Sequence, residues 1–97
     1  MNTLTIPDHI GRNPRAEAFE VMEEISSLTG VSVDEMRGRD RTRFVAHVRH
    51  WAMTEVRHRT SLSFPEIGAL FDRDHTTVVQ GVRAHEKRTS INPQEGL

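Results

Sequence analysis

The chain has 97 residues, a net charge of −1, 35% hydrophobic residues and no cysteine. That length suits one small domain with a modest core, and the missing thiols exclude disulfide staples and thiolate metal sites. No apolar run approaches the ~20 residues of a membrane span. The opening MNTLTIPDHIGR lacks the basic start and apolar stretch of a secretory leader, so the expected setting is a reducing cytoplasm.

Residues 1–12, with Pro7 and Gly11 and no periodicity, read as a flexible arm. Asn13-Pro14 is a good helix opening, an N-cap followed by a residue with preset φ. Ala18, Val21, Met22, Ile25 and Leu28 then recur at helical spacing until Gly30 stops the run. Glu17, Glu20, Glu23 and Glu24 occupy the outer face of this first helix, about residues 14–29. Ser32 and Glu35 have the spacing of a capping box and start a short helix ending near Gly38.

A basic connector from Arg39 to Thr42 leads into a long helix over about 42–59. Its apolar face carries Phe44, Val45, Val48, Trp51, Ala52 and Val56, and Trp51 reads as core together with Met22, Met36 and Met53. Ser63 and Glu66 form a second capping box, with Pro65 tolerated in the first turn. Ile67, Leu70 and Phe71 face inward, and Gly68 permits close approach of a neighbouring helix. Asp72-Arg73 makes a tight turn. Asp74 caps the last helix, whose Val78, Val79 and Val82 pack inward until about Lys87, while Gly81 weakens it by up to about 1 kcal/mol relative to alanine. Residues 89–97 read as a flexible tail. With no strand pattern and no repeat, the expected fold is all-α, a compact bundle of about five helices forming one domain over 13–88.

The net charge conceals a dipole. Residues 1–36 net −5, whereas residues 37–59 carry seven arginines against Asp40 and Glu55, a net of +5. Twelve of the thirteen basic residues are arginine, whose planar fork suits phosphate and guanine. This basic stretch lies just upstream of two short capped helices joined by a tight turn, the build of a helix-turn-helix that offers its second helix to the major groove. That second helix opens on Asp74, His75, Thr76 and Thr77. Asp74 can accept from a cytosine amino group, His75 can donate to guanine, and the threonines offer a hydroxyl and a methyl.

The run from Leu62 to Val78, L-S-F-P-E-I-G-x-x-F-x-R-D-H-T-T-V, resembles the C-terminal DNA-binding domain (domain IV) of the bacterial replication initiator DnaA. The likeness continues upstream through Val45-Ala46, Arg49, Ala52-Met53 and Arg57, takes in V-S-V-D-E-M, and covers about residues 15–88. It implies a Trp-repressor-like helix-turn-helix that binds double-stranded DNA at a nine-base-pair box as a monomer. On that resemblance Asp74, His75, Thr76 and Thr77 read bases in the major groove, and Arg43 enters the minor groove. Arg49, His50, Arg57, Phe64, Pro65 and Arg73 lie along or near the phosphate backbone. The chain departs from the pattern in a shorter turn before Arg73, in His47-Val48 for Arg-Pro, in His50 for glutamine and in Phe64 for leucine, which points to an altered box.

No G-x-x-x-x-G-K-[ST] loop is present, so ATP binding is not expected. Nor is any cofactor or metal. His47 and His50 share a helix face but lack a third ligand at helical spacing, and Asp74-His75 has no nucleophile placed with it, so no enzyme is expected. The chain reads as an excised domain or a stand-alone reader. The alternative function is a regulatory interaction protein, a DNA-bound competitor or recruiter whose acidic helix over 14–29 meets a protein partner.

Overall fold

The computed structural model describes residues 13–90. The arm expected over 1–12, and the expected tail beyond Ser90, lie outside the described residues. Five helices follow in order: α1 Pro14–Thr29, α2 Val33–Arg37, α3 Arg43–Arg59, α4 Phe64–Phe71 and α5 His75–Thr89. No strand occurs among the described residues.

Local chemistry fixes most of the ends. The Asn13 side chain accepts from the Arg15 amide at 2.8 Å, and Gly30 closes α1 in the left-handed region at φ 84°. Both capping boxes form reciprocally, Ser32 with Glu35 and Ser63 with Glu66. Thr42 gives α3 no side-chain cap; its amide instead donates to the Asp40 carboxylate at 2.7 Å. Asp74 caps α5 by accepting from the Thr77 amide at 2.8 Å. That helix runs two residues past the expected stop, to Thr89, because neither Arg88 nor Thr89 is a breaker.

Helix α3 is the axle of the bundle and touches all four other helices. Met22, Ile25, Met36, Met53, Val56, Ile67, Leu70, Phe71 and Val78 are sealed around it, each worth roughly 1.5–3 kcal/mol of burial. Four expected core positions differ, one of them Val79, which is half-buried and lines a surface depression with Phe64 and Arg83. Phe44 is 57% exposed and Trp51 only half-buried; they share a ridge about 100° around the helix from the inward stripe of Val45, Ala52 and Val56. The Trp51 ring stacks on His85, centroids 6.5 Å apart. Leu28 is 70% exposed, because Gly30 turns the chain and Val31 takes the next buried place.

Two glycines set the geometry between helices. A Cβ on Gly68 would collide with the Arg73 carbonyl oxygen, so its close approach is to the turn itself rather than to another helix. The Arg73 amide donates to the Gly68 carbonyl at 2.8 Å, and Asp72 adopts φ 56° to complete the reversal. Gly81, which looks like a defect in a helix, faces α3. A Cβ there would meet the His50 ring at 2.9 Å and the Met53 sulfur at 3.0 Å, so its absence lets α5 seat closely.

Candidate nucleic-acid interface

The Gly68 turn fixes α5 against α4, and the front of α5 is open. Asp74, His75 and Thr76 are exposed and Thr77 is half-buried. The Thr77 amide bonded to Asp74 holds that carboxyl below its usual range, so the cap is anionic at neutral pH. At the opening of α4, Pro65 is exposed and Phe64 half-buried, and Phe64 lines a depression with Val79, Val82 and Arg83 of α5. Over the Phe64 ring lies the Arg57 guanidinium, 4.5 Å from the centroid. An aromatic ring at this position thus holds a cation reaching across from α3. Arg43 is exposed in the first turn of α3.

Three other expected contact residues, Arg49, Arg73 and His50, are buried or half-buried. Arg49 is only 5% exposed. Its Nε donates to the Met36 carbonyl at 2.7 Å, and its Nη2 reaches the carbonyls of Glu35 at 3.1 Å and Asp40 at 2.9 Å. Arg73 is half-buried and donates to the carbonyls of Phe71 and Gly38, both at 2.7 Å. Arg37 joins this group through Nε to the Leu70 carbonyl at 2.6 Å. Three guanidiniums therefore satisfy the open carbonyl ends of α2 and α4, where cations are electrostatically favoured. Burial lowers the pKa of Arg49 and Arg73, though arginine's ordinary value lies so far above neutral that both stay charged.

His50 is half-buried beneath Gly81. Its Nδ1 accepts from Arg88 Nη2 at 3.2 Å, since arginine has no acceptor to offer. Burial, then the positive charge of Arg88, pushes the imidazole down to about 4, with His47, Arg49 and His85 adding to the effect. It is a neutral packing residue at pH 7.

The basic stretch is thus divided. Arg39 pairs with Asp72 at 3.0 Å, and Arg59 with Glu24 at 2.9 Å and with Glu55 at 3.5 Å. The Glu24 pair also braces the acidic face of α1 against α3. Arg41, Arg43 and Arg57 remain exposed without an anionic partner among the described residues. Motif reading also passed over the outward stripe of α5, in which Thr76 is followed by Gln80, Arg83 and Lys87, all exposed. The available signal was their spacing of four, three and four residues. Among the described residues no helix is long and apolar enough to cross a membrane.

Comparison with known proteins agrees with this architecture. Residues 19–84 match the family described as bacterial dnaA protein helix-turn-helix. The chain is similar to the chromosomal replication initiator protein DnaA of Thermoanaerobacter sp. (strain X514), 36% identical over 77 residues that make up 79% of this chain and 17% of that protein. It is likewise similar to the DnaA of Corynebacterium aurimucosum, 38% identical over 87 residues, 89% of the chain and 16% of the relative. With the DnaA of Neisseria meningitidis serogroup C it shares 35% identity over 75 residues, 76% of the chain and 14% of the relative. The matched stretch is therefore about a sixth of these relatives' length. No solved structure matches the chain.

Proposed function

Because the chain belongs to the bacterial DnaA helix-turn-helix family, we propose that it binds double-stranded DNA at a DnaA-box-like site, in replication initiation or its regulation. It acts as a monomer and without catalysis, through one domain over residues 13–88. The observation that carries this reading is the open, capped front of α5, with Asp74, His75 and Thr76 exposed and held against α4 by the Gly68 turn. Those three and Thr77 read bases in the major groove. Arg43 serves the minor groove, and Arg57 with the exposed opening of α4 around Pro65 meets phosphate. Arg49, His50 and Arg73 act from behind, by holding the helices that carry these groups.

The test is anisotropy titration of matched and scrambled duplexes at stated salt. Thr76→Ala and His75→Ala each cost about 1–3 kcal/mol on the matched duplex and little on the scrambled one. Equal losses on both duplexes would defeat the base-reading assignment. The reading as a regulatory interaction protein rests on the acidic face of α1. With Glu24 engaged by Arg59, part of that face braces the bundle, which favours the DNA reading.

A further inference from the structure

We propose that base reading by α5 extends into its second turn, with Gln80 contacting the edge of a base pair and Arg83 and Lys87 anchoring the same face to phosphate. This rests on the duplex-DNA reading above and adds a specificity residue to it. At about 100° per residue, Thr76, Gln80, Arg83 and Lys87 fall within roughly 60° of one another. The stripe lies directly opposite the core-facing Val78, Gly81 and Val82, all buried. A helix that presents Thr76 to a groove floor therefore presents Gln80 to the same groove.

Gln80 lies one turn beyond Thr76, about 6 Å along the axis, or roughly two base pairs at the DNA spacing of 3.4 Å per strand residue. Its carboxamide has no hydrogen-bond partner among the described residues, unlike Asp74, which is committed to capping. A primary amide on a major-groove helix matches adenine, donating to N7 and accepting from the N6 amino group. Arg83 borders the groove that Arg57, Phe64, Val79 and Val82 also line. It forms no ion pair among the described residues, whereas Arg59 and Arg39 both do. Arg57 and Arg83 thus place two cations on the lining of one depression, alongside Glu86 and His58, where a phosphate backbone could meet both.

The experiment is selection of bound duplexes from a random pool, at one stated salt concentration, by the full chain and its Gln80→Ala, Gln80→Arg and Thr76→Ala variants. The wild-type motif should contain an A·T pair about two positions from the one that Thr76→Ala relaxes. Gln80→Ala reduces a discrimination of about tenfold at that pair to about twofold, and Gln80→Arg converts the preference there to guanine. Both substitutions are at an exposed helical site and favour helix at least as well as glutamine, so circular dichroism should show an intact fold. A wild-type motif that survives unchanged in both Gln80 variants overturns this inference while leaving the DNA-binding reading standing. A wild-type chain that selects no motif at all overturns both. Arg83→Ala should weaken every sequence alike, about fivefold to tenfold, and flatten the salt dependence by about one counterion; a loss confined to one base position would remove its phosphate role.

Discussion

Along α3, Arg49 and Arg57 stand eight residues apart, just over two turns of one helix. The first is closed off among the carbonyls of Glu35, Met36 and Asp40, and the second lies at the surface over the Phe64 ring. Both belong to the same arginine-rich stretch, and charge counting gives them equal weight. Their neighbours separate them. Arg49 occupies the inward face, four residues after Val45 and three before Ala52, both buried, so its guanidinium can only serve groups that the fold itself leaves open. Arg57 has turned out of that stripe, and its cation remains available to a ligand. A basic run in a small domain is therefore two populations, one that holds helices together and one that faces solvent.

The contrast can be broken most decisively at Arg49. Arg49→Ala leaves the Met36 and Asp40 carbonyls without their donor, and that of Glu35 with the Gly38 amide alone, and should lower unfolding stability by about 3 kcal/mol, read from the urea midpoint. Lysine should recover little, because one ammonium cannot reproduce the fork. If stability held while DNA affinity fell, Arg49 would belong with Arg57 after all. Arg57→Ala should do the reverse, reducing duplex affinity about tenfold and the salt slope by about one, while changing stability by about 0.5–1 kcal/mol through the lost ring contact.

His50, beside Arg49, gives a pH test of the inward side. Its ordinary pKa is 6.5 and its folded value about 4. As pH falls below 6.5 the unfolded chain takes up a proton that the folded chain refuses, so stability present at pH 7 is lost progressively down to about 4. His47 and His85, also lowered by burial, act in the same direction. The depressed carboxyls of Asp40, Glu66 and Asp74 contribute above their ordinary values and lose ground only in more acid solution. Tm should therefore drop between pH 6.5 and 5, and His50→Gln should flatten that drop; an unaltered slope would mean the imidazole is not held neutral. The smallest effect is expected at the turn. Asp72→Gly removes a left-handed aspartate and an ion pair that is 70% exposed on both sides, for a net gain of about 0.5 kcal/mol by thermal melt.

The helices, their caps and the turn were legible because their signals are local. Asn13, Ser32, Ser63 and Asp74 each bond to amides within three residues, and Gly30 stops α1 within one. The assignment of surface and interior was less so. Arg49 fits the buried stripe by position, but a pattern drawn from apolar residues alone omits it, and its acceptors lie 9 to 14 residues away. Phe44 fails in the opposite sense, apolar in type but turned away from Val45, Ala52 and Val56 and exposed. The value of Gly81 depends on His50 and Met53 across a helix interface, which propensity cannot foresee. For the candidate site, the tetrad at the front of α5 was plain from its motif, whereas Gln80 and Arg83 needed the helix rotation that the packing of Val78 and Val82 establishes.

The missing side chain at Gly68 bears on mechanics as well as on packing. With the Arg73 carbonyl resting where a Cβ would stand and the Arg73 amide bonded back to the Gly68 carbonyl, α4 and α5 form a single stiff corner with no joint between them. Such a corner behaves as a gauge of fixed width. In the DNA-binding role proposed here, whatever adjustment a duplex needs to seat against it must come from the duplex, through steps that bend or narrow at low energetic cost. Base pairs that no side chain touches would then still count toward which sites are held.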